Sequence, residues 1–96
     1  MPEMPANRIE RKVVVENKRG FHLRQAGEIS QIANQYKSDI RIGRVGKPGC
    51  DAKSMLLVLG LAASYKTELM LTVAGEDAAE AVTALTDCIE HPRYDA

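Results

Sequence analysis

Residues 69–90, LMLTVAGEDAAEAVTALTDCIE, contain a strand pattern followed at once by a helix pattern. Leu69, Leu71 and Val73 occupy alternate positions, which predicts a half-buried β-strand. Gly75 separates this strand from Glu76–Glu90, whose two opening acidic residues suit the positive end of a helix dipole. In that segment the apolar residues recur at helical spacing and form one stripe: Ala78, Ala81, Val82, Leu85, Cys88 and Ile89.

Five further elements are predicted before this stretch. They are a strand over Ile9–Glu16, a helix that begins close to His22, a strand at Ile40 and Ile42, a short strand around Cys50–Ala52 and a helix over Met55–Leu61. Gly43–Gly49 supplies the turn of a hairpin between the second and third strands. This order predicts an α+β domain whose helices cover one face of a four-stranded sheet. We expect a flexible leader at residues 1–8, the domain at 9–90 and a short tail at 91–96.

The composition allows one hydrophobic core and excludes partners that are bound through bulk charge. The chain has 96 residues, with 13 lysines and arginines against 13 aspartates and glutamates, so neither nucleic acid nor an anionic membrane is expected as a partner. No segment resembles a signal peptide or a membrane span of roughly 18 apolar residues. We therefore expect a cytoplasmic protein without membrane insertion. Cys50 and Cys88 lack metal-ligand spacing, and we expect two reduced, partly buried thiols rather than a disulfide or a metal site.

His22 lies where a loop is predicted to turn into a helix. A helix start presents backbone amides without intrahelical partners together with the positive end of the dipole, and so favours an anion. A neutral imidazole has one unprotonated nitrogen that can attack phosphorus, and amides near Leu23 and Gln25 would then contact the phosphoryl group. Arg24 adds a positive charge to the same site. On these grounds alone an ordinary surface or capping histidine remains the commoner alternative.

Three motifs resemble those of the HPr family of phosphocarrier proteins. Gly20–Ala26, with the sequence GFHLRQA, resembles the family's active-site motif Gly-Leu-His-Ala-Arg-Pro-Ala. Ala52–Met55, with the sequence AKSM, is similar to the family's Ala-Lys-Ser-Ile signature, and Gly75–Asp77 is similar to the Gly-Glu-Asp that opens the family's last helix. The spacing agrees from Ile9 to Glu90, apart from one extra residue in the Gly43–Gly49 hairpin.

The resemblance implies an open-faced β-sandwich of order βαββαβα, in which three helices cover one face of a four-stranded antiparallel sheet. It implies that enzyme I phosphorylates His22 on Nδ1 with phosphate from phosphoenolpyruvate, and that the group passes to A-type domains of enzyme II in sugar uptake. Arg24 would stabilise the phosphoryl group. The chain would be a monomeric carrier and not an enzyme. It contains no nucleotide-binding glycine loop or acidic metal pair, so no cofactor is expected.

Ser54 allows two interpretations. By position it matches the serine that a dedicated kinase modifies in many family members, with a phosphorylase as the reverse partner. Its hydroxyl is also suited to cap the helix that follows. Negative charge at a helix start does not melt the helix, so phosphorylation is expected to act by repelling an acidic partner surface.

Family members also expose an apolar patch beside the active histidine, which would form a docking surface for partner proteins. The residues expected in this patch are Phe21, Met55, Leu56 and Leu59. Helical spacing also allows some of them to lie in the core, for which the better candidates are Leu57, Val58 and Leu61.

Gln25 departs from the family pattern because it replaces a proline. Proline fixes φ and lacks an amide hydrogen, so glutamine loosens the helix start and restores a donor. We expect its backbone amide or side chain to contact the phosphoryl group and to prolong the lifetime of phospho-His22. Tyr65-Lys66 replaces a turn that usually contains glycine, which leaves the partners open. The alternatives are a regulatory or nitrogen-related HPr-like protein that acts by protein binding and Ser54 phosphorylation, and a plain interaction domain.

Overall fold

The computed structural model describes residues 7–92 as a four-stranded antiparallel sheet with three α-helices. In chain order the elements are β1 (Arg8–Val14), α1 (Leu23–Ala33), β2 (Asp39–Arg44), β3 (Cys50–Asp51), α2 (Met55–Gly60), β4 (Glu68–Ala74) and α3 (Ala78–Glu90). The order βαββαβα confirms the predicted α+β open-faced sandwich. β1 begins inside the expected leader, while leader residues 1–6 and tail residues 93–96 lie outside the described residues.

Strand β4 lies inside the sheet, whose strand order is β1-β4-β2-β3. It pairs antiparallel with a neighbour on each side, so that Leu71 lies opposite Arg11 of β1 and Ile42 of β2. Leu69, Leu71 and Val73 are all buried, as their alternation predicts. β4 therefore supplies both the backbone pairing and a central row of the core.

The helices contribute the other side of the core. Every residue of the apolar stripe predicted for α3 is buried, and α1 buries Gln25, Ala26, Ile29, Ser30 and Ala33. Full burial of one large aliphatic side chain contributes roughly 1.5–3 kcal/mol. Helix α3 packs against β1 and β4, and α1 packs against α2 and α3, so these contacts set the positions of the two helices.

Helix α2 has only six residues and is held at both ends. At its start the Oγ atom of Ser54 accepts a hydrogen bond from the backbone amide of Leu57 at 3.3 Å. At its end the Nη2 atom of Arg44 donates to the carbonyl oxygens of Leu61 and Ala62, at 3.1 and 3.3 Å. So short a helix is not stable alone, and these contacts fix how it is rotated on the sheet.

Asp77 joins the start of α3 to the loop between α1 and β2. Its carboxylate accepts hydrogen bonds from the backbone amides of Lys37 and Ser38, at 2.8 and 3.0 Å, and from the Ser38 hydroxyl at 2.5 Å. The Ser38 hydroxyl and the Lys37 amide hold the pKa of the Asp77 carboxyl below its usual value. The acidic start predicted for this helix is therefore also a link between two loops.

Candidate functional site

A tight turn carries the chain from β1 to His22. The Asn17 carbonyl accepts a hydrogen bond from the Gly20 amide at 2.8 Å, and the Asn17 side-chain Oδ1 accepts one from the Arg19 amide at 3.0 Å. Gly20 has a φ of +71°, and a Cβ atom there would overlap the backbone of Ala63. Glycine is required because both its φ and its close approach to Ala63 exclude a side chain.

Phe21 anchors the chain immediately before His22. Its amide donates to the Ala63 carbonyl at 2.7 Å, and its side chain is only 5% exposed. The predicted docking role of Phe21 is wrong, because its ring lies in the core. The buried ring instead fixes the point from which His22 extends.

His22 is the N-cap residue of α1 and is half-buried. Its Nδ1 atom accepts a hydrogen bond from the backbone amide of Arg24 at 3.3 Å, and its Nε2 atom lies 3.4 Å from the side-chain nitrogen of Asn17. Its carbonyl accepts the first intrahelical bond, from Ala26 at 2.9 Å. The helix predicted to begin close to His22 is confirmed, and the imidazole lies against its amino end.

Both ring nitrogens of His22 therefore face nitrogen donors. The Arg19 amide fixes the orientation of the Asn17 side chain, because that amide requires Oδ1 and so turns Nδ2 towards the ring. A neutral imidazole has only one acceptor nitrogen, so the two donors compete. Asn17 has no predicted role at the site. The signal that identifies it is an amide side chain placed across a glycine turn from the histidine.

The next three residues have different environments. The Leu23 side chain is 61% exposed and the Arg24 side chain is exposed, whereas Gln25 is fully buried. The Gln25 side chain donates from Nε2 to the carbonyl of Cys88 in α3, at 3.4 Å. The predicted contact of this side chain with a phosphoryl group is wrong, because it points into the α1–α3 interface. The Gln25 backbone amide remains in the first turn of α1.

An exposed apolar patch lies on α1 and α2, next to the amino end of α1. Met55 lies close to Gly27 of α1, and Leu23 precedes Gly27 by four residues on the same helical face. The patch comprises Leu23, Met55, Leu56 and Leu57, with 61, 36, 73 and 51% of each residue exposed. We call these four residues the apolar patch.

The rotation of α2 decides which of its residues join this patch. Met55 and Leu56 are exposed, and Val58 is buried, as predicted. Leu57, expected in the core, is exposed, whereas Leu59, expected at the surface, is half-buried against the core. The core prediction for Leu57 is wrong, whereas Leu59 keeps part of its surface exposed. Both residues lie about 100° from the buried Val58, one on each side of it, and the side that carries Leu59 packs against the core.

Three further features of the described residues concern metal ligands, the two thiols and membrane-spanning helices. Between residues 7 and 92 no three His, Cys, Asp or Glu side chains are grouped to hold a metal ion. No disulfide joins Cys50 and Cys88, and burial raises the pKa of the Cys50 thiol, which disfavours its reactive thiolate. None of the described helices is long and apolar enough to cross a membrane.

Comparison with known proteins gives one consistent result. A family model for the phosphorylation site of the PTS HPr component matches residues 9–91. The chain is 36% identical over 84 residues to phosphocarrier protein HPr of Pseudomonas aeruginosa, covering 88% of this chain and 92% of that protein. It is 35% identical over 82 residues to the HPr-like protein Crh of Bacillus subtilis, covering 85% and 95%. The fold is similar to that of HPr from Bacillus anthracis, with a TM-score of 0.80 and 33% identity over 85% of this chain and 96% of that one.

Proposed function

The chain belongs to the HPr family of phosphocarrier proteins of the phosphotransferase system, and we propose that His22 is the residue that carries the phosphoryl group. The observation that supports this is the position of Nδ1, 3.3 Å from the Arg24 amide at the start of α1. A lone pair that accepts this hydrogen bond lies where the helix dipole also favours an anion. A phosphoryl group on Nδ1 would place its oxygens against the first-turn amides, including those of Leu23 and Gln25. Arg24 would supply an exposed positive charge.

The transfer step requires only these groups and a phosphorylated donor. In the tautomer that carries its proton on Nε2, the Nδ1 lone pair attacks phosphorus. The bond from phosphorus to the donor breaks, and its electron pair stays on the donor. The ring proton then leaves to water, after which Nε2 can accept a hydrogen bond from Asn17. Phosphorylation thus ends the competition between the two donors that face His22.

The stabilisation of the phosphoryl group is small, as a carrier requires. Helix-end electrostatics contribute about 0.3–1 kcal/mol at an exposed site, and His22 is only half-buried. Since 1.4 kcal/mol changes an equilibrium constant about tenfold, a contribution of at most about 1 kcal/mol shifts the transfer equilibrium by less than tenfold. A phosphoryl group held this weakly can still pass to an acceptor.

We propose enzyme I as the donor, with phosphoenolpyruvate as the phosphate source, and A-type domains of enzyme II as acceptors in sugar uptake. The apolar patch would dock these proteins beside His22, because a cluster of large exposed apolar residues is typical of interaction sites. A carrier supplied from phosphoenolpyruvate would work in the cytoplasm as a substrate of other enzymes.

A second candidate is a regulatory role through Ser54. Ser54 is half-buried, caps α2 and immediately precedes Met55 of the apolar patch. The similarity to the HPr-like protein Crh favours this candidate alongside the carrier role. A phosphate on Ser54 would lie at the favourable end of α2 and would repel an acidic docking partner. We propose that this chain is a monomer, in contrast to a crystal structure of Crh, similar to this chain with a TM-score of 0.67, that is described as a swapped dimer.

Incubation with enzyme I and phosphoenolpyruvate tests the carrier role. The intact mass should increase by one phosphoryl group, the label should be lost in acid, and the His22→Ala variant should stay unlabelled. The Ser54→Ala variant should still be labelled. A native protein of unchanged mass, or a label that survives acid, would contradict phosphorylation of His22.

A further inference from the structure

Gln25 has a buried polar side chain that stability alone does not explain. The residue is fully buried, and its Oε1 atom has no hydrogen-bond partner among residues 7–92. A buried carbonyl oxygen without a partner costs free energy that an apolar side chain of the same volume avoids. A half-satisfied buried amide therefore requires an explanation.

The explanation begins at the carbonyl that the Gln25 Nε2 atom contacts. In an α-helix the Cys88 carbonyl would accept from the amide four residues later, but that residue is Pro92, which has no N–H. Gln25 supplies a donor to this carbonyl from 63 residues away, at 3.4 Å. The first turn of α1 is thereby joined to the last turn of α3.

The last turn of α3 is itself attached to the chain that leaves β1. The Val14 amide donates to the carboxylate of Glu90 at 3.0 Å, and the Glu16 amide donates to the Ile89 carbonyl at 3.4 Å. The end of α3 is thus part of the same framework that leads into the Asn17 turn. Gln25 ties the other side of His22, the start of α1, to that framework.

We propose that Gln25 is a positioning residue for the phosphoryl site. Its side chain acts through the backbone of its own helical turn, fixing the place of the Arg24 amide relative to Nδ1 of His22, and does not itself touch the phosphoryl group. This inference rests on the proposed carrier function of His22. It gives the replacement of the family proline a physical meaning, because a tether to α3 takes the place of a fixed φ in holding the helix start.

The test uses Gln25→Met, which keeps the volume and flexibility of the side chain but removes its donor. Ile40→Val is the control, because it shortens a fully buried core side chain in β2, away from the end of α3 and the start of α1. Two quantities are measured in the native protein and both variants: the hydrolysis rate of phospho-His22 and the imidazole ¹⁵N shifts of unphosphorylated His22.

Gln25→Met should hydrolyse phospho-His22 about two- to fivefold faster, the range that helix-end interactions account for, and should shift the Nδ1 resonance. Ile40→Val should match the native protein in both measurements. If the native protein is phosphorylated on His22 and Gln25→Met has the same hydrolysis rate and the same ¹⁵N shifts as the native protein, the tether has no positioning role and the inference is overturned. If native His22 is never phosphorylated, the carrier function fails first and the inference fails with it.

Discussion

Replacing Asn17 by aspartate reverses the hydrogen-bonding character of the group that faces Nε2 of His22. The Asn17 side chain presents Nδ2 at 3.4 Å from Nε2, while its Oδ1 accepts from the Arg19 amide. An aspartate has an oxygen at both positions, so Asn17→Asp keeps the bond to Arg19. The change therefore exchanges one donor for one acceptor beside the ring and preserves the turn.

The size of the effect follows from the two contacts to the ring. At 3.3 and 3.4 Å both are longer than a typical N–H hydrogen bond of about 2.9–3.0 Å, so each contributes roughly 0.5 kcal/mol. A bond to a carboxylate contributes about 1.5 kcal/mol at the low end of its range, and part of this is offset because residue 17 is fully buried and the carboxylate loses its hydration there. We expect the tautomer with its proton on Nε2 to gain roughly 1–2 kcal/mol, a factor of about five to thirty.

Two measurements check this prediction. The ¹⁵N shifts of Asn17→Asp at neutral pH should show the proton on Nε2 and the lone pair on Nδ1. Phospho-His22 should hydrolyse faster than in the native protein, because a ring that keeps its Nε2 proton is the better leaving group. Gln35→Glu adds the same charge at the opposite end of α1 and should change neither result. Native tautomer populations in Asn17→Asp would refute the assignment of Asn17 as a donor to the ring.

Three further variants test other parts of the structure. Leu57→Ser should change the free energy of unfolding by no more than about 0.5 kcal/mol yet slow phosphorylation by enzyme I, whereas Val58→Ala should lower the free energy of unfolding by roughly 1–3 kcal/mol. Urea unfolding measures the stabilities and labelling kinetics measure the phosphorylation rate. A large loss of stability in Leu57→Ser and a small one in Val58→Ala would mean that α2 turns Leu57 and not Val58 towards the core. Ser54→Ala should lower the free energy of unfolding by about 1 kcal/mol, because the cap of α2 is lost. Ser54→Asp should keep the native stability and weaken the docking of partner proteins. Native docking affinity in Ser54→Asp would contradict the regulatory candidate. Because the pKa of Asp77 is lowered, its ionised form stabilises the fold at neutral pH. Asp77→Asn should therefore be less stable than the native protein at pH 7, and the difference should begin to shrink at about pH 4 and vanish only below the lowered pKa. A gap that stays constant with pH would show that the lost stability does not come from the ionised carboxylate.

The sequence predicts the fold where periodicity distinguishes one face from another. Leu69 and Leu71 alternate in β4, and the apolar stripe of α3 leaves only one face to bury, so both segments are placed correctly. The start of α1 at His22 is also predictable, because a glycine turn before an amphipathic segment indicates a helix start.

Periodicity fails where every face carries the same residue type. In Met55–Leu59, MLLVL, all residues are apolar, so sequence cannot choose between Leu57 and Leu59 for the surface. Contacts from distant residues decide it, above all the bonds from Arg44 to the end of α2. Periodicity also cannot predict the contacts of Gln25 and Asn17. The partner of Gln25 lies 63 residues away, and the partner of Asn17 lies across a turn.

For the proposed carrier, the two amide side chains explain how a phosphoryl site at His22 would combine precise geometry with weak binding. Asn17 is oriented by the Arg19 amide and Gln25 is held by the Cys88 carbonyl, so both sides of His22 are fixed by groups that do not contact the phosphoryl site. Because the neutral ring has one acceptor nitrogen, only one of its two long contacts to Arg24 and Asn17 forms at a time, and that contact contributes about 0.5 kcal/mol or a factor of roughly two in an equilibrium constant. In the proposed carrier, exchanging this contact for phosphoryl contacts would therefore change the free energy little. Because the framework holds the geometry, the transfer equilibrium would remain close to balance, and the direction of transfer would be set by the donor and acceptor proteins.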